Sequence, residues 1–73
     1  MPLVTIKTMQ GKSPEALTRT MKEVSRVVAE NLDYDPAHVW VVVDEMADEH
    51  FLAGGTTWAE LKPTLYPGNT ARQ

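Results

Sequence analysis

Residues Leu3 to Met9 (Leu-Val-Thr-Ile-Lys-Thr-Met) alternate in a way that predicts a strand with successive side chains on opposite faces. Pro2 stands directly in front of this stretch, the one strand position where a missing backbone N–H costs the ladder nothing. Gln10-Gly11-Lys12-Ser13 reads as a turn, and Ser13-Pro14-Glu15 reads as a helix start: serine as N-cap, proline in the first helical position, an acid at the positive dipole end. From there Leu17, Met21, Val24, Val28 and Leu32 recur at helical spacing and form one apolar stripe. Glu15, Arg19, Lys22, Glu23, Arg26 and Glu30 lie mainly elsewhere around the wheel. Asn31 to Pro36 ends the helix, because Asn and Asp favour turns and a residue before proline is pushed out of the α region.

A second strand is expected from about Val39. Its run Val39-Trp40-Val41-Val42-Val43 is continuous instead of alternating, as in strands of a parallel sheet covered on both faces. Strand, helix and strand with short links make a βαβ unit, whose crossover makes the two strands parallel. One helix covers one face of such a sheet, so another copy of the chain is the simplest cover for the other. Past Asp44 the pattern predicts a short helical turn and then a hairpin or loop at Gly54-Gly55, with Trp58 to Leu61 as a short strand. From Pro63 to Gln73 the residues suit an irregular tail, held by Leu65 and Tyr66 or left mobile at its end. The expected fold is thus a small α/β (α+β) chain: one domain over 1–73, a β-α-β unit with two parallel strands, one helix and a short C-terminal hairpin or strand, its sheet completed by oligomerisation.

Length sharpens that last expectation. A chain of 73 residues buries only about 60% of the surface its unfolded form exposes. It has no cysteine, which removes disulfides and thiolate-bound metals and leaves self-association as the remaining supplement. Apolar residues make up 42% and charged ones 23%, ordinary for a folded soluble protein. No stretch approaches the roughly 18 to 20 apolar residues of a membrane span, and the N-terminus lacks the regions of a signal peptide. A cytoplasmic protein that does not bind membranes is expected. Seven basic residues against ten acidic ones give a net charge of −3, and the basic ones are dispersed, which argues against a nucleic-acid partner.

Pro2 is the position with the most chemistry to offer. Methionine before a small residue is normally trimmed, and loss of Met1 would turn the Pro2 nitrogen into a secondary amine at the start of a rigid strand. Asp44, Glu45, Asp48, Glu49 and His50 cluster in sequence, but their spacing matches no calcium loop, and solvation with the helix dipole accounts for acids at such a turn. No metal site is expected. His50 has no obvious serine or cysteine nucleophile to activate, and His38 reads as a surface cap or turn residue.

Taken together, Pro2 opening the first strand, Gly11 closing it, the segment Glu23-Val24-Ser25 in the capped helix, and the block Glu45-Met46-Ala47, His50-Phe51 and Gly54-Gly55 resemble the 4-oxalocrotonate tautomerase family. The similarity runs to about Lys62. It implies a cofactor-free isomerase in which Pro2 acts as general base and acid, moving a proton between the enol and keto forms of a small substrate. It also implies a homo-oligomer, a hexamer or, as the smaller alternative, a dimer, with the site between subunits. Lys12 aligns with a family arginine that binds a substrate carboxylate, and Trp40 aligns with a second arginine, lent by a neighbouring subunit, that polarises the carbonyl. Lysine keeps the charge without the bidentate fork, and an indole offers one neutral N–H and an aromatic surface. Phe51 matches a family phenylalanine that makes the site apolar, and Leu3 and Met9 are further candidates for its walls. These departures favour an aryl or monocarboxylate enol or keto acid over a dicarboxylate. Two alternatives remain open: hydration, dehalogenation or decarboxylation of a small acid on the same fold, with Asp44 or Glu45 activating water, and a non-catalytic oligomeric binding module.

Overall fold

The computed structural model describes residues 1–66 of the 73, so the end of the expected tail, 67–73, lies outside the described residues. In chain order come strand β1 (Leu3–Met9), helix α1 (Pro14–Leu32), a 3₁₀ turn (Pro36–His38), strand β2 (Trp40–Met46), a second 3₁₀ turn (Asp48–His50), the short strands β3 (Leu52–Ala53) and β4 (Thr56–Thr57), and helix α2 (Trp58–Leu65). β1 pairs with β2, and β3 with β4. The ends of the first pair show its sense: Trp40 N–H donates to the Pro2 carbonyl at 3.1 Å, and Gln10 N–H to the Met46 carbonyl at 2.8 Å. Start meets start and end meets end, so the strands are parallel. The described residues fall into two compact units, Met1–Lys7 with Ser13–Asp44, and Thr8–Lys12 with 45–66.

In the first unit α1 starts as its sequence dictates. Ser13 has extended dihedrals and its Oγ accepts from Ala16 N–H at 3.1 Å, while Pro14 takes the first turn, a cap that contributes on the order of 1 kcal/mol. The helix stops at Asp33, which adopts φ 60° and ψ 48° and donates its N–H to the Ala29 carbonyl. Asp tolerates this left-handed conformation better than most side chains. Leu17, Met21, Val24 and Val28 are half-buried, but Leu32, at the last position of the helix, is exposed. The stripe ends a turn early and Ala29 carries the burial there, at 5% exposure. On the outer surface Arg26 bonds Glu23 at 2.9 Å and Glu30 at 3.1 Å. Those two hydrogen bonds, Glu23 first, hold its pKa above the ordinary arginine value.

Burial alternates along both main strands. Val4 and Ile6 of β1 and Val41 and Val43 of β2 are half-buried, and α1 is the one element of this unit long enough to cover them. On the opposite face Leu3, Trp40 and Val42 are 62%, 55% and 48% exposed, so in the single chain the valine run is covered on one side only. The same face ends in charge, with Lys7 Nζ 3.3 Å from Asp44 Oδ2. Among the described residues only Ala29 and Val39, 5% and 7% exposed, are buried apolar side chains, a small core. No described helix is long and apolar enough to cross a membrane.

The second unit contains the expected helical turn and hairpin, with Gly54 and Gly55 both at positive φ, 60° and 86°. β3 and β4 pair antiparallel, Leu52 with Thr57 and Ala53 with Thr56. The expected strand at Trp58 to Leu61 is instead the start of α2, and residues 63 to 65 of the expected irregular tail continue that helix. The cause is local. Thr57 is extended and its Oγ1 accepts from Glu60 N–H at 3.3 Å, so Thr57-Trp58-Ala59-Glu60 has the spacing of a capping box. Pro63 lacks the N–H that would bond the turn before it and keeps α2 short.

Candidate active site

Pro2 is half-buried at the head of β1, behind an exposed Met1. Its carbonyl takes the Trp40 N–H, so Pro2 and Trp40 stand side by side at the same end of the parallel pair. With Met1 in place the Pro2 nitrogen is an amide; with Met1 removed it is an amine on a backbone already tied down through its carbonyl. The Trp40 side chain projects on the open face with Leu3, since Leu3 and Lys7 share one side of β1, Trp40 and Asp44 one side of β2, and Lys7 meets Asp44. An indole that is more than half exposed is not core filling.

Lys12 and Phe51 belong to the second unit. Lys12 follows Gly11, whose φ of 116° few other residues adopt, and is half-buried. The chain turns away after β1 at this glycine, where the backbone passes through a region that disfavours side chains. Phe51 follows the turn Asp48–His50 and is half-buried. Its ring meets the Trp58 indole edge to face, centroids 6.2 Å apart and planes at 89°. Its carbonyl accepts from Trp58 N–H at 2.9 Å.

The acidic run does not behave as a solvated cluster throughout. Asp44 pairs with Lys7, and Asp48 is held in a 2.7 Å bond to Lys62 Nζ, the two side chains only 17% and 24% exposed. Solvation therefore explains Glu45, Glu49 and the exposed His50, but not Asp48. The other oxygen of Asp48, Oδ1, and the indole Nε1 of Trp58 are buried with no hydrogen-bond partner among the described residues. Trp58, Lys62 and the ion pair to Asp48 were not singled out by sequence reasoning. The signal was present in Thr57 and Glu60, whose spacing marks a helix start and so puts Trp58 and Lys62 one turn apart on one face.

The chain is similar to known proteins. The family described as tautomerase enzyme matches residues 2–60. A 2-hydroxymuconate tautomerase of Pseudomonas putida is 36% identical over 55 residues, covering 75% of this chain and 87% of that one. A probable tautomerase of Halalkalibacterium halodurans is 34% identical over 55 residues, 75% of this chain and 90% of the relative. A heterohexamer 4-oxalocrotonate tautomerase from Chloroflexus aurantiacus superimposes with a TM-score of 0.79 at 30% identity, covering 84% of this chain and 98% of its own. With its two parallel strands, its main helix and a match that begins at Pro2, the chain belongs to the tautomerase enzyme family as a 4-oxalocrotonate tautomerase-like isomerase.

Proposed function

We propose that the chain, after loss of Met1, moves a proton between the enol and keto forms of a small carboxylate-bearing substrate, with Pro2 as the base and acid. The observation that carries this reading is the Pro2 carbonyl bonded to Trp40 N–H, which supports a fixed nitrogen at the strand start. The freed amine takes the proton of the enol hydroxyl, the electron pair moves through the conjugated system, and the ammonium returns the proton to carbon. No atom is gained or lost. An α-amine ionises near about 8, close enough to neutrality to serve both steps, and apolar surroundings favour its uncharged form.

Lys12 is proposed to anchor the substrate carboxylate, with Trp40 and Phe51 as apolar walls. The indole at Trp40 favours an aryl or monocarboxylate enol, where the Pseudomonas putida relative is named for 2-hydroxymuconate. The active species is proposed as a cytoplasmic homohexamer with shared sites. Support comes from the open apolar face of Leu3, Trp40 and Val42 and from the hexameric Chloroflexus aurantiacus relative. Intact mass joined to an ultraviolet assay of enol loss tests the mechanism. Activity should appear only in protein lacking Met1, and equal turnover by protein that retains Met1 overturns the amine mechanism.

A further inference from the structure

After the turn Asp48–His50 the chain passes Phe51, makes the β3–β4 hairpin and returns as α2. Two contacts close this circuit: the Lys62–Asp48 bond at 2.7 Å, and Trp58, which holds Phe51 both by its N–H to the carbonyl and by its indole against the ring. Tyr66 backs the indole, with centroids 6.4 Å apart at 64°. Trp58 meets Phe51 through the shape and π surface of its indole.

A phenylalanine ring turns broadly about its outer torsion unless neighbours stop it. A perpendicular indole, itself backed by a second ring and mounted on a helix that an ion pair pins, is such a stop. We propose that Trp58 is a positioning residue that sets the orientation of the Phe51 ring and so the affinity for the apolar part of the substrate, with Lys62 and Asp48 holding α2 in place. The inference rests on the reading of Phe51 as a substrate wall. A wall fixed before binding spares the ordering cost at the moment of binding, so its loss falls on KM. The proton transfer at Pro2 is not touched, which leaves kcat in place.

Phe51 is the chain's one phenylalanine, so para-fluorophenylalanine incorporated into the protein gives a single fluorine resonance that reports this ring. In the Met1-free protein, Trp58→Leu should shift that resonance and raise KM for an aryl enol about three- to tenfold, the range an edge-to-face pair commands, with kcat within about twofold. Trp58→Tyr, which keeps an aromatic edge and leaves Phe51 the one phenylalanine, should restore both. A normal KM and an unmoved resonance in Trp58→Leu, or a Trp58→Tyr protein as impaired as Trp58→Leu, overturns the proposal. Should Trp58→Leu fail to fold, Lys62→Met decides: it alters neither ring, and it should move the resonance and KM in the same direction, no movement being the overturning result. Phe51→Leu separates the two readings. An unchanged KM there refutes Phe51 as a wall, whereas a raised KM beside a normal Trp58→Leu refutes the positioning role alone.

Discussion

The backbone N–H of Trp40 donates to the carbonyl of Pro2 at 3.1 Å, joining the first residue of β2 to the residue that precedes β1. Neither side chain takes part in this bond. Both can therefore be exchanged without releasing the strand ends, which makes the pair well suited to mutational tests.

Pro2→Ala keeps the carbonyl and so the bond, but replaces a stiff secondary amine by a freer primary one. Enol–keto conversion in the Met1-free variant should fall at least about tenfold, part of the 10²- to 10⁴-fold range of general acid–base catalysis. Ultraviolet loss of a conjugated enol measures it, beside a circular dichroism melt that should match the parent. Equal turnover by variant and parent would sink the role of Pro2.

Trp40→Arg places a guanidinium on an open face, where the long side chain has room. The ratio of kcat/KM for dicarboxylate over aryl enols should rise about tenfold or more, because a charge-assisted hydrogen bond is worth about 1.5 to 3 kcal/mol. An unchanged or reversed ratio shows that Trp40 is structural.

The two lysine–aspartate pairs should differ in weight. Lys62→Met leaves Asp48, only 17% exposed, without its cation, and should cost about 1 to 3 kcal/mol. Lys7→Met breaks a pair whose side chains are 68% and 52% exposed, and screening by solvent should hold its cost below about 1 kcal/mol. Urea melts of both variants at one protein concentration provide the comparison, and equal losses would contradict it.

Light scattering at micromolar concentration should find an oligomer, a hexamer by the present reading. Val42→Asp, which sets a charge in the middle of the exposed apolar face, should dissociate it. A folded monomer of the parent chain would refute both the assembly and the shared site.

Much of the β-α-β unit was legible because local signals agree there: Ser13 and Pro14 start α1, Asp33 and Pro36 end it, and the β1 alternation matches its burial. The β2 run hid its own alternation, since valine occupies both faces and only the structure separates half-buried Val41 and Val43 from exposed Val42. α2 was missed because Trp58, preceded by Thr56 and Thr57, has strand propensity, while the winning term was the cap from Thr57 to Glu60 and the docking of Trp58 on Phe51. Of the candidate site residues, Pro2 and Trp40 announce their adjacency through parallel strand starts. The Thr57 and Glu60 spacing marks the start of α2, but the contacts of Trp58 with Phe51 and of Lys62 with Asp48 depend on how the hairpin folds that helix back, which the spacing does not encode.

With only Ala29 and Val39 buried among the described apolar residues, a lone copy has little to hold it together. If copies assemble on the open sheet face as proposed, mass action enters the folding equilibrium, and each further copy acts as a ligand of the native state. The melting temperature should climb with protein concentration, and a cell making few copies would lose a larger fraction of them to proteolysis than one making many.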